Sequence, residues 1–170
     1  ELIRRGAAYR DGEGAVRLRY AEETIVVADT VCGRCEFPVA SLGPEPVLLK
    51  SDGNPTYHLS SVADDIDMQI SHVIRGQDHL TNTAKHQLIF AGLGAPIPVF
   101  AHLPLILGDD GSKLSKRNST GLISVADFRS GGFLPEALIN FLVLLGWSHP
   151  DAKETLTIGE AQAVFSLERV

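Results

Sequence analysis

Ile70-Ser71-His72-Val73-Ile74-Arg75-Gly76-Gln77-Asp78-His79-Leu80-Thr81-Asn82-Thr83 opens the part of the chain whose reading decides the fold. Ile70 to Arg75 is short and largely apolar, as a buried strand requires. Thr81, Asn82 or Thr83 can cap a helix running to Gly92, and Gly92 or Gly94 can supply the left-handed residue that ends it. Phe100 to Leu107 returns as a second strand-like run. The order β, α, β predicts a parallel sheet with a right-handed crossover, and so an α/β fold. Ligands of such sheets bind beyond the carboxyl ends of the strands, which makes Arg75 a candidate clamp for a carboxylate.

Outward from this core the texture changes in both directions. Ser51-Asp52-Gly53-Asn54-Pro55 is the strongest turn signal of the chain, and a domain boundary is expected near it. Before it, Val16 and Leu18 alternate with Arg17 and Arg19, while Thr24 to Ala28 and Pro46 to Leu49 are further strand candidates, so residues 1–50 read as a β-rich module. From Val125 the pattern is helical: Pro135 suits a first helical position, Glu136 to Leu145 is apolar nearly all round, and Gly146 stops it.

With 170 residues, 44% hydrophobic and 21% charged, the chain fits one ordinary globular domain or two small ones. No apolar run approaches the roughly 18 residues that cross a bilayer, and no basic-then-apolar leader opens the sequence, so neither membrane insertion nor a secretion signal is expected. A net charge of -6 means that any nucleic-acid contact must rely on a local patch. Cys32 and Cys35 are too few for a disulfide framework and point to a reducing compartment, the cytoplasm or an organellar matrix. Their spacing is that of half a zinc site, but no second pair follows, and their β-rich surroundings do not suit a redox pair at a helix start.

Gly108-Asp109-Asp110-Gly111-Ser112-Lys113-Leu114-Ser115-Lys116-Arg117 carries three cations within five residues. Such a loop suits a polyphosphate, with Lys113 and Lys116 as compact charges, Arg117 as a planar fork and Ser112 and Ser115 as hydroxyl donors; it also fits a plain solvated loop. No Gly-x-x-x-x-Gly-Lys-Ser/Thr run is present, so any nucleotide is held by another architecture. Asp64 and Asp65 read as turn or salt-bridge formers, and His58, His72, His79, His86 and His102 as scattered core or surface histidines.

Taken in order, these segments resemble the bacterial or organellar type of glutamyl-tRNA synthetase, a class I aminoacyl-tRNA synthetase. The resemblance runs through Asp52-Gly53-Asn54-Pro55-Thr56-Tyr57, Val62 to Met68, Ser71 to Leu80, His102-Leu103-Pro104-Leu105, Lys113-Leu114-Ser115-Lys116-Arg117, Gly132 to Leu138 and Leu145-Gly146-Trp147-Ser148. Residues 1–50 match loosely, chiefly at Leu2 to Tyr9 and Ala15 to Arg19.

The resemblance implies the second half of a Rossmann-like catalytic domain over residues 51–117. Residues 1–50 would be a remnant of the connective insertion that holds the tRNA acceptor end, and residues 118–170 the start of a helical stem-contact domain. It implies ligation of L-glutamate to tRNA(Glu) through glutamyl-adenylate, using ATP with Mg²⁺. Lys113 to Arg117 would be the KMSKS-type loop, with Lys113, Lys116 and Arg117 catalytic and Lys116 stabilising the α-phosphate and departing pyrophosphate. Tyr57, Ser61 and Arg75 would line the glutamate pocket, with Arg75 on the α-carboxylate. Asp78, Ile106, Lys113, Ser115 and Lys116 would contact ATP. A monomeric cytoplasmic enzyme without a membrane partner is expected. Zinc is conceivable in the insertion but unsupported by the residues present.

The family's HIGH-type motif, its early arginine for the substrate side chain and its anticodon-binding domain are not in this sequence, and a stretch of insertion is missing between Arg10 and Asp11. The expected reading is an interior piece of a longer enzyme. The alternatives are a truncated homologue acting as a tRNA-binding module and a paralogue that glutamylates a modified tRNA base.

Overall fold

A computed structural model describes residues 1–108, 111–114 and 124–170. The chain divides into two units, Glu1–His102 and Leu103–Val170.

The first unit is built on two sheets. In the smaller, β1 (Ala8–Arg10), β2 (Val16–Leu18) and β5 (Val47–Leu49) pair antiparallel in the order β1-β2-β5. The alternation seen at Val16 and Leu18 has its expected result: both are buried, with the intervening Arg17 turned to an ion pair with Asp11 at 2.7 Å. In the larger, β3 (Thr24–Asp29) forms a hairpin with β4 (Gly33–Pro38), and the order is β4-β3-β7-β6, with β6 at His72–Gly76 and β7 at Val99–Leu103. β3 runs parallel to β7, with Asp29 opposite Phe100. Strands from the β-rich segment and from the β, α, β segment therefore share one sheet.

The turn at Ser51 to Pro55 consequently lies inside the first unit and not at its edge. Gly53 takes φ +87° there, Asp52 accepts the Asn54 N–H, and Leu49 bridges Pro55 across the turn, which leads the chain straight from β5 into α1 (Tyr57–Asp67). Helix α1 was not among the elements expected from the sequence. Its signal is the spacing of Leu59, Val62, Ala63 and Ile66, and Val62 is fully buried. Helix α2 (Leu80–Leu93) ends as anticipated on Gly94 at φ +71°. β7 is shorter than the apolar run suggests, because Pro104 has no N–H to donate to a ladder. The main core gathers Leu18, Leu48, Val62, Ile89, Phe90 and Phe100, from both sheets and both helices.

The second unit is helical where it is regular. Helix α3 (Val125–Ser130) and α5 (Ile158–Val164) open with reciprocal capping boxes, Ser124 with Asp127 and Thr157 with Glu160, and α4 (Pro135–Leu144) carries proline at its first position. Trp147, Leu156 and Ala161 form its buried cluster. Asn140 fastens the following loop, donating to the Glu154 carbonyl at 2.9 Å and accepting the Leu156 N–H at 2.8 Å. Among the described residues no helix is long and apolar enough to cross a membrane.

Candidate active site

The first unit gathers its polar groups where β6, β7 and β3 end and α1 and α2 begin. Arg75, next to last in β6, is the centre. Its Nε donates to Nε2 of His102 at 3.1 Å, and its Nη2 donates to Thr83 Oγ1 at 2.7 Å and to the His79 carbonyl at 3.3 Å. Its Nη1 donates to the Tyr57 hydroxyl at 3.3 Å. Four partners from α1, β7 and the start of α2 thus fix a planar fork whose charge has no carboxylate against it among the described residues. Burial pulls the guanidinium below its ordinary value, with Tyr57 and Asp65 acting the other way; it remains a cation.

Behind Arg75 stands a wholly buried pair. His102 Nδ1 donates to Asp29 Oδ2 at 2.6 Å, and both side chains have no exposure. The other oxygen, Oδ1, accepts the backbone N–H of Val31, Cys32 and His102 at 3.0, 2.8 and 3.2 Å. Burial would raise the Asp29 carboxyl, but the bonds from Cys32, His102 and Val31 outweigh it and hold it below its usual value. A carboxylate can only accept, so the ring hydrogen sits on Nδ1 and Nε2 offers its lone pair to Arg75 and to the Thr83 hydroxyl at 3.0 Å.

The wall beside this fork is neutral. Nδ1 of His58 lies 3.2 Å from Nε2 of His86, and the Tyr57 ring packs 5.5 Å from each of those rings, centroid to centroid. Burial, reinforced by the charge of Arg75, pushes His86 down to about 3, and burial with the charges of Lys85 and Arg75 lowers His58. Both rings are therefore uncharged at neutral pH. Burial raises the Asp65 carboxyl, against the pull of Arg75. Tyr57, Ser61 and Asp65 recur every fourth residue and so share one face of α1.

The remaining candidates are placed as follows. Asp78 is exposed in the short 3₁₀ turn Gln77–His79, its Oδ2 4.0 Å from Nε2 of His79. In the second unit, Leu107 bridges Lys113 antiparallel, the Leu114 N–H bonds to the Ile106 carbonyl at 2.9 Å, and the Gly108 N–H bonds to the Ser112 carbonyl at 2.8 Å. Ile106 and Lys113 both lie on this bridge with exposed side chains. Ser115, Lys116 and Arg117 lie outside the described residues. Cys32 occupies the β3–β4 turn and Cys35 strand β4, and burial raises both thiols, which keeps them protonated and poorly reactive. No group of three His, Cys, Asp or Glu residues suited to a metal occurs among the described residues.

Sequence reading missed Asp29, Thr83 and His102 as site residues. Asp29 carried a local signal, an aspartate ahead of a tight turn whose N–H groups it can accept. His102 carried none.

Arg75, held near the ends of β6, β7 and β3 and beside the starts of two helices, makes this an α/β domain with a cation suited to an anionic ligand. All 170 residues match the family described as tRNA synthetases class I (E and Q), catalytic domain, and the chain belongs to that family. It is 48% identical over its whole length to glutamate-tRNA ligase 2 of Neorickettsia sennetsu, covering 41% of that protein. Over 92% of its length it is 51% identical to glutamate-tRNA ligase 1 of Fervidobacterium nodosum, covering 33% of it. The crystal structure of glutamate-tRNA synthetase from Elizabethkingia anophelis superposes with a TM-score of 0.80 at 33% identity, over 99% of this chain and 36% of that one. The chain thus spans 33 to 41% of the length of these relatives.

Proposed function

We propose that this chain supplies part of the catalytic region of an enzyme that joins L-glutamate to tRNA(Glu) in two steps. In the first, a carboxylate oxygen of glutamate attacks the α-phosphorus of ATP and pyrophosphate leaves. In the second, a ribose hydroxyl of the terminal tRNA nucleotide attacks the acyl carbon and AMP leaves. Positioning and charge stabilisation do the chemistry, with no covalent bond to the protein.

The observation that carries this reading is the Arg75 fork, held by four partners with no carboxylate against it among the described residues, in a chain of this family. Arg75 holds the α-carboxylate of glutamate so that one oxygen faces the phosphorus. Tyr57 and Ser61 close the pocket along α1. Asp78, Ile106, Lys113 and Ser115 bind ATP, and Lys113, Lys116 and Arg117 meet the charge that builds on the phosphates. Mg²⁺ arrives on the ATP phosphate oxygens and shields their charge. In functional terms residues 1–50 belong to the acceptor-end insertion, 51–117 to the catalytic domain and 118–170 to the stem-contact region. The enzyme acts as a cytoplasmic monomer.

The test is glutamate-dependent ATP–pyrophosphate exchange by the full-length protein in the presence of tRNA(Glu). Exchange with glutamate, and its loss by about 10²-fold or more in Lys116→Ala at unchanged melting temperature, supports the proposal. Absence of exchange with glutamate, or equal rates in Lys116→Ala, would overturn it.

A further inference from the structure

We infer that Asp29 and His102 are positioning residues for Arg75, and that their bond sets how tightly the site holds the substrate carboxylate; this rests on the reading of Arg75 as the glutamate clamp. Asp29 meets four donors, three backbone N–H groups on Oδ1 and the ring N–H of His102 on Oδ2. Only a group that accepts at both oxygens satisfies them all. That fixes the His102 hydrogen on Nδ1 and leaves Nε2 to take the Nε–H of Arg75.

The arrangement also solves an electrostatic problem. A carboxylate touching Arg75 would align it but would occupy the edge that a substrate must use. Here the carboxylate stands one imidazole away, so it orients the fork through His102 and offsets its charge at a distance. Asp29 comes from the β3–β4 hairpin and His102 from β7, so the alignment of the clamp is tied to the parallel pairing of these strands.

An asparagine at position 29 has the same shape but carries an NH₂. Either that group faces the backbone donors of Val31, Cys32 and His102, or it faces Nδ1 and drives the ring hydrogen to Nε2, against the N–H of Arg75. His102→Asn makes the complementary change: its amide still reaches Asp29, while nothing stands at the position of Nε2.

The experiment is ATP–pyrophosphate exchange by the full-length protein with tRNA(Glu), measuring KM for glutamate at saturating ATP and the reverse, with melting temperatures alongside. Asp29→Asn and His102→Asn are each expected to raise the glutamate KM about tenfold or more, with the ATP KM within about twofold of the parent. A glutamate KM within about twofold of the parent in both variants overturns the inference. So does a fall in kcat and melting temperature with both KM values unchanged, which is the signature of a purely structural pair. Should Asp29→Asn not fold, His102→Asn decides. Arg75→Lys in parallel separates the two claims. If it leaves the glutamate KM unchanged, the clamp reading fails and the inference with it. If it raises the glutamate KM while the other two variants do not, only the positioning role fails.

Discussion

Arg75 in the first unit and Lys113 in the second are both cations proposed to meet substrate, and they differ in exposure. Arg75 is half-buried, with every arm of its fork directed by a side chain or carbonyl from another element. Lys113 is exposed on a short bridge where backbone hydrogen bonds run from Leu114 to Ile106 and from Gly108 to Ser112. A buried fork selects by geometry, because its partners have already lost the freedom that binding would otherwise cost. An exposed lysine contributes a point charge that needs no fixed angle.

That contrast is open to direct attack. Arg75→Lys keeps the charge and removes the fork, so kcat/KM for glutamate should fall about 100-fold or more, roughly 3 kcal/mol, while Lys113→Arg should change the ATP KM only a fewfold. Steady-state exchange assays check both, and equal small effects would erase the distinction. The neutral wall gives the next effect. His86 binds a proton near its ordinary value when unfolded but only near pH 3 when folded, so the unfolded state takes up more protons below pH 6.5 and stability falls as the pH drops through that range. Denaturant unfolding should show a loss of about 2 kcal/mol from His86 between pH 7 and pH 5, absent in His86→Gln.

Packing changes come after these. A Cβ at Gly92 would stand 2.7 Å from Cβ of Ala7 and from a methyl of Leu2, so Gly92→Ala should cost about 1–2 kcal/mol in the first unit, by thermal or denaturant unfolding. The smallest effect belongs to the second unit. Asn140→Ala unties the loop held through Glu154 and Leu156 and should cost about 1 kcal/mol, with the glutamate KM unmoved. A shift of that KM would mean that the second unit shapes the clamp as well.

Much of the larger site was legible because its signals are local. Arg75 at the end of an apolar run and the cations around Lys113 are candidates that a few neighbouring residues suggest, whereas Tyr57 enters only through the family resemblance. Helix α1 carries its period in Leu59, Val62, Ala63 and Ile66, but the adjacent Asp64 and Asp65 equally suit a turn, so local pattern does not single out the helix. Of His58, His72, His79, His86 and His102, whose spacing suggests no role, the structure places four around the clamp: His102 bonds to Arg75, His58 and His86 form a neutral wall, and the carbonyl of His79 accepts from Arg75.

Local pattern marks the strand, helix and strand between Ile70 and Leu107, the arginine that ends the first of them and the position of the basic loop, because hydrophobic period, turn residues and charge runs are properties of adjacent positions. Only the tertiary structure decided what stands behind Arg75. Asp29 and His102 are 73 residues apart and meet solely because β3 and β7 pair in parallel, a contact that no local pattern encodes. The price of closing so long a loop is met by the buried cores around it, which bring together a carboxylate, a ring and a fork that are unremarkable one at a time.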